Sequence, residues 1–139
     1  MTSFLPDLPF ASTTVLLACI MAAAALVYLP FIVVGFGRVR SGYDMAAPRA
    51  MFDKLPAYAQ RATWAHANAF ESFTLFSVAA LMAYVTQESS KLAIWAAIAY
   101  VIARFFYPIF YILNIPTGRS LMFAIGSLCI GTLFVLSLT

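Results

Sequence analysis

The sequence predicts an all-α integral membrane protein, a bundle of four transmembrane helices with little mass outside the bilayer. Three observations carry that expectation. The chain is 64% hydrophobic and 9% charged, against roughly 45–50% and about 25% in a soluble domain. Its mean hydropathy is +0.94. Its 139 residues, at about 20 per helical crossing, leave room for four or five spans and their links. Eight Lys/Arg and five Asp/Glu cannot coat a water-facing globule, so a soluble enzyme, a disordered chain and a disulfide scaffold are all excluded.

The first span is expected over residues 12–36, with no charge across 13–34. Pro30 falls inside it, and a membrane helix accepts such a kink where neighbours re-satisfy the freed backbone. Residues 1–10 lack a basic n-region, so this run is expected to remain as a span rather than be cleaved. Residues 37–60 form the one long polar stretch, broken by Pro48 and Pro56, and read as a loop with a short amphipathic turn. The second span, residues 58–84, carries Arg61, His66, Asn68 and Glu71 among apolar residues. A polar link precedes the third span, residues 92–113, which is aromatic-rich and holds Arg104. Residues 114–118, with Pro116, read as the last connection. The fourth span, 119–138, is apolar after Arg119 and Ser120. Together the four make one domain over residues 1–139.

Charge placement predicts orientation. Arg38, Arg40, Arg49 and Lys54 occupy the first loop and Arg119 the third, while the other side has only Lys91, with Asp7 at the amino end. By the positive-inside rule, loops one and three face the cytoplasm and both termini lie outside. The basic balance (pI ≈ 9.1) therefore reads as topology and not as a nucleic-acid surface. Cys19 and Cys129 sit in apolar runs as small hydrophobes. No metal-ligand spacing is present, and no metal is expected.

Ionisable groups inside a span cost on the order of 2.5–3.5 kcal/mol each and usually face a partner or cavity. Glu71 and Arg104 fall at similar depths on antiparallel neighbours, so the simplest expectation is that they pair. At about 100° per residue, Arg61, Asn68 and Glu71 share one face of the second span. Tyr100, Arg104, Tyr107 and Tyr111 follow an i, i+4, i+7, i+11 stripe on the third. Arg119 and Ser120 open the fourth. Three helices thus present polar groups near one membrane face, and could wall a pocket open to the lipid boundary. Arginines grip carboxylates through paired hydrogen bonds, a carboxylate takes an ammonium, and an amide meets a peptide group. The set suits a small acidic peptide or a phospholipid headgroup. His66 has no evident partner on its face and reads as packing or interfacial hydrogen bonding.

The run Arg61-Ala-Thr-Trp-Ala-His66-Ala-Asn68-Ala-Phe-Glu71 resembles the second-helix signature of the MAPEG family, membrane-associated proteins in eicosanoid and glutathione metabolism. The likeness covers nearly the whole chain: four spans, a basic first loop, Arg104 with Tyr111 seven residues on, and Arg-Ser opening the fourth span. It implies a homotrimer that holds glutathione at the subunit interface, in a bacterial-type member; the compact, loop-poor build without further sorting signals leads us to expect a bacterial inner membrane. By position, Asn68 and Glu71 resemble the residues that hold the tripeptide's backbone and amine. Tyr111, with Arg104 and Tyr107 beside it, resembles the third-helix contact, and Arg38 a basic contact made across the interface. Arg119 resembles the arginine that favours the thiolate, with Ser120 as a hydroxyl donor. Trp64 and Ala67 stand where other members have arginines, Tyr107 where the prostaglandin branch has histidine, and Phe123 where some have a tyrosine. These departures bear on catalysis and substrate class.

Two functions follow from different classes. One is a glutathione-dependent transferase or peroxidase acting on a lipophilic electrophile that enters from membrane lipid. The other is a non-catalytic protein of the same fold: a scaffold, a lipid-binding protein, or an accessory subunit of a larger membrane complex. The retained Arg119, Ser120, Asn68 and Glu71 favour the first, and the missing arginines and tyrosine hydroxyl the second.

Overall fold

In the computed structural model, which describes Pro6 and residues 11–139, every regular element is helical and four helices are long and apolar enough to cross a membrane. Asp7 and the rest of the amino-terminal segment discussed above lie outside the described residues. The first span, Ser12–Arg40, is two helices in tandem, α1 (Ser12–Val27) and α2 (Leu29–Arg40). Pro30 makes the break. It has no N–H for the carbonyl four residues back, and its ring crowds that carbonyl. The Tyr28 N–H turns instead to the Ala25 carbonyl at 3.1 Å, and Ile32 resumes the ladder on the Tyr28 carbonyl at 3.2 Å. His66 supplies the tertiary repair: its Nδ1 lies 2.8 Å from the Val27 carbonyl and donates to it. The histidine without an evident partner is thus a hydrogen-bonded wedge at the kink. Beyond Phe36, α2 continues to Arg40, with Arg38 and Arg40 in its last turn, where cations complement the helix dipole.

The first loop folds back onto the bundle. Asp44 Oδ1 accepts from the Ala46 and Ala47 N–H groups at 2.9 and 3.3 Å, an Asx turn. A 3₁₀ turn at Phe52–Lys54 is flanked by buried Met51 and Leu55. Gln60 Nε2 donates to the Phe52 and Leu55 carbonyls and ties the loop to α3 (Ala57–Val85). Gly37 makes the approach of α2 to α3 possible, because a Cβ there would lie 2.5 Å from the Ala59 Cβ.

Helix α4 (Lys91–Ile112) starts at Ser90, whose Oγ accepts from the Ala93 N–H at 3.2 Å, a side-chain N-cap. Both α3 and α4 end in Schellman closures. Gln87 and Asn114 take left-handed backbone (φ 59° each). Glu88 N–H then bonds the Ala83 carbonyl at 2.9 Å, and Ile115 N–H the Phe110 carbonyl at 2.8 Å. The link to α5 (Pro116–Leu136) is consequently only residues 113–115. Pro116 lies in the first turn of α5 rather than in the connection where the sequence placed it. A proline needs no donor at that position, and its φ is already helical.

Helix α4 is the inner span. Half of its most apolar window is buried (50%), against 28%, 28% and 22% for the others. Buried alanines of α3 and α4, namely Ala79, Ala80, Ala83, Ala93 and Ala97, all at 0% exposure, share one apolar core with side chains of α1 and α5. Small residues at such interfaces let helix backbones approach closely in lipid. Phe76 and Tyr100 stack face to face at 3.8 Å at the middle of this seam, and the Tyr100 hydroxyl shares a 2.9 Å hydrogen bond with Ser72 Oγ. Met21, Ile32, Leu128 and Val135 are well exposed on the outside, as a surface in contact with acyl chains requires.

Candidate functional site

From Phe76 and Tyr100 toward the end carrying the basic loop, α3 and α4 exchange polar bonds beside further buried alanines, Ala59, Ala62, Ala65 and Ala103. Arg61 Nε donates to the Ile112 carbonyl at 2.9 Å, so this arginine closes the carboxyl end of α4, where free carbonyls and the helix dipole favour a cation. Seven residues on, and on the same face, Asn68 Oδ1 accepts from Arg104 Nη1 at 3.1 Å. Arg104 is only 5% exposed, and its Nη2 is buried without a partner. The ring of Tyr107 lies under the guanidinium, 4.2 Å from its carbon.

The expected Glu71–Arg104 pair is not formed. Asn68 and Glu71 stand three residues apart, hence about 60° apart around the helix axis. The rotation of α3 gives Asn68 to α4 and turns Glu71 to the outer surface. Glu71 is exposed and forms no ion pair with any described residue. It stands near the middle of a 29-residue helix apolar enough to span a membrane.

Tyr107, 4% exposed, packs edge-on against Tyr111 at 5.7 Å. The Arg119 guanidinium carbon lies 4.7 Å from the centre of the Tyr111 ring, whose other neighbour is Trp64 at 6.5 Å. Tyr107, Tyr111, Arg119, Ser120 and Phe123 line one open cavity of about 310 Å³. Its floor comes from α4 and its rim from the first turns of α5. Gly118 sets that junction, because a Cβ there would lie 2.8 Å from the Phe110 ring.

Arg38 lies elsewhere. It lines a cavity of about 490 Å³ with Phe31, Arg49, Phe52, Thr63 and His66, bounded by α2, the first loop and α3. Its guanidinium carbon is 5.8 Å from the centre of the Phe31 ring, and its Nε is buried without a partner. The two cavities share no lining residue. One chain therefore brings Asn68, Arg104, Tyr107, Tyr111, Arg119 and Ser120 into a continuous series of contacts or one cavity wall. It leaves Glu71 at the surface and Arg38 on another face. Among the described residues, no group of three His, Cys, Asp or Glu is placed to hold a metal.

Two roles were hidden from the sequence: Arg61 as the closure of α4, and His66 as the repair of the first span. The signal for His66 was Pro30, which guarantees an irregular carbonyl nearby, but the residue that repairs it is fixed only by tertiary packing.

The fold and these polar groups within it define an all-helical integral membrane protein of four spans. The chain belongs to the MAPEG family, whose model matches residues 15–139, from within α1 to the carboxyl terminus. The family includes glutathione-dependent transferases and peroxidases as well as non-catalytic members. No curated protein and no solved structure matches the chain.

Proposed function

We propose that this protein is a membrane-bound transferase or peroxidase that uses glutathione against lipophilic electrophiles. The observation that carries the proposal is the cavity of Tyr107, Tyr111, Arg119, Ser120 and Phe123. It has a cation and hydroxyls on its wall, no carboxylate in its lining, and an apolar phenyl ring at its rim. The donor set fits the tripeptide: arginines for its carboxylates, Glu71 for its ammonium, Asn68 for its peptide group.

Glutathione, when bound, would supply a sulfur nucleophile that displaces a leaving group from carbon, or that reduces a hydroperoxide to an alcohol and water while two glutathiones are oxidised to the disulfide. Arg119 favours the thiolate over the thiol, whose pKa is otherwise about 8.5, and Ser120 donates a hydrogen bond to the same sulfur. Tyr107 and Tyr111 hold the Arg119 side of the cavity in place through their ring contacts. Phe123, 50% exposed, gives a lipophilic substrate an apolar surface against which to lie.

The reading also includes a homotrimer in a bacterial inner membrane, with loops one and three cytoplasmic. Glu71 supports the oligomer. A carboxylate exposed in mid-span costs about 2.5–3.5 kcal/mol against lipid, and a second copy that covers it removes that cost. The same contact brings Arg38 of a neighbouring copy toward Asn68 and Glu71.

The test is calorimetric titration of glutathione into detergent-purified protein, with thiolate absorbance near 240 nm, an approximate region for a deprotonated thiol, read on the same samples. Saturable binding and a thiolate signal are expected. Arg119→Ala should abolish the signal and move the pH midpoint of any activity up toward about 8.5. Binding without a thiolate signal would favour a non-catalytic ligand-binding member. Folded, oligomeric protein that binds no glutathione would overturn the reading.

A further inference from the structure

Arg104 stands in the site, yet it has almost no surface from which to touch a ligand. It is 5% exposed, its Nη1 is committed to Asn68 at 3.1 Å, and its Nη2 is shut inside the bundle. A guanidinium has donors only. Whatever faces it on Asn68 must therefore be the carbonyl oxygen, and the Asn68 NH₂ must point the other way, a conclusion that holds without seeing hydrogens.

We propose that Arg104 is a positioning residue, not a ligand contact: it holds the Asn68 carbonyl oxygen and so turns the amide's N–H donors toward the ligand. Asn68 then selects an acceptor, a peptide carbonyl or a carboxylate, while Glu71 one turn away selects a donor. The two together read the polarity of a bound peptide and fix its direction. This inference rests on the glutathione reading and assigns the partner chemistry of two of its contacts.

The buried side of Arg104 shows why the lock holds. Pro108 lies inside α4 and has no N–H, so the Arg104 carbonyl lacks its usual donor four residues on. A cavity of about 10 Å³ touches Arg104, Pro108, Leu26 and Val27, about the space of one water. With Nη2 buried and unpartnered, Asn68 Oδ1 is the side-chain acceptor the guanidinium has among the described residues. Tyr107, 4.2 Å from the guanidinium carbon, blocks rotation on the remaining side.

The experiment is a pair of double-mutant cycles with Arg104→Met and Asn68→Ala, one on thermal unfolding without ligand and one on glutathione affinity. Arg104→Lys serves as the conservative variant should Arg104→Met fail to fold. Each single variant is expected to lose at least tenfold in affinity, and the double variant no more than either alone. The unliganded cycle should couple as well. Additive affinity losses, or an Arg104 variant that is folded and binds at wild-type affinity, would overturn the positioning role. Coupling in unfolding with no coupling in affinity would reduce Arg104–Asn68 to a lock for the bundle and overturn it too. Wild-type protein that fails to bind glutathione, with a coupled unliganded cycle, would sink the tripeptide reading and the ligand role, and leave the hydrogen bond standing.

Discussion

Between Phe76 and the α3–α4 link, α3 and α4 bury alanines; between Tyr100 and the basic end they bury alanines too, and there they also carry Arg61, Asn68, Arg104 and Tyr107. The alanine half holds the axes close and has no polar atom to satisfy across its contact. The polar half is joined by long side chains that reach across, and beside them the bundle opens into the cavity of Tyr111 and Arg119. One pair of helices thus divides stability from ligand binding along its length. Substitutions in the two halves should separate into two kinds of phenotype.

The largest effect should come from overfilling the alanine seam. Ala97→Leu puts a branched side chain where there is 0% exposure and should cost up to about 3 kcal/mol, read as a lowered unfolding temperature in detergent. Glutathione affinity of the protein that remains folded should be unchanged. Glu71→Gln is the converse experiment. It removes an exposed charge with no ion-pair partner among the described residues, so folding should survive, while binding weakens by about 1.5–3 kcal/mol, the range for a hydrogen bond to a charged group. Equal losses of stability and affinity in either variant would break the division.

The division was only half legible beforehand. Spacing alone put Arg61, Asn68 and Glu71 on one helix face and the Arg104, Tyr107, Tyr111 stripe on another, because a 3.6-residue period needs no partner to be read. Which of Asn68 and Glu71 meets Arg104 depends on a rotation of about 60°. That rotation is set by the packing of α3 against all its neighbours, and no local pattern encodes it. The start of α5 was misplaced for a similar reason. Pro116 breaks a helix that precedes it and begins one that follows, and only the closure at Asn114 decides between them. Arg38, expected as a contact across a subunit interface, lines within one chain a cavity with Thr63, His66 and Ala67 and not the cavity of Tyr111 and Arg119.

Two smaller effects sharpen the boundary between the halves. Arg61→Met removes the donor at the end of α4 and should cost about 1 kcal/mol in unfolding, with a milder loss of affinity because Tyr111 lies in the same last turn. Tyr100→Phe keeps the stack on Phe76 and removes only the bond to Ser72. About 0.6 kcal/mol is expected, the average for such bonds between membrane helices, with no change in binding.

The three-residue link between α4 and α5 has a consequence for how this chain can vary. Its length is fixed at one end by the left-handed turn at Asn114 and at the other by Pro116, so Arg119 arrives within the first turn of α5 at a set angle over Tyr111. Inserting or deleting one residue turns everything that follows by about 100° and shifts it by about 1.5 Å, which would swing the guanidinium off the Tyr111 ring and out of the cavity. The long first loop can gain or lose a residue between its Asx turn and its 3₁₀ turn without moving α3. In this chain, therefore, a change of length is tolerated in the first connection and not in the last.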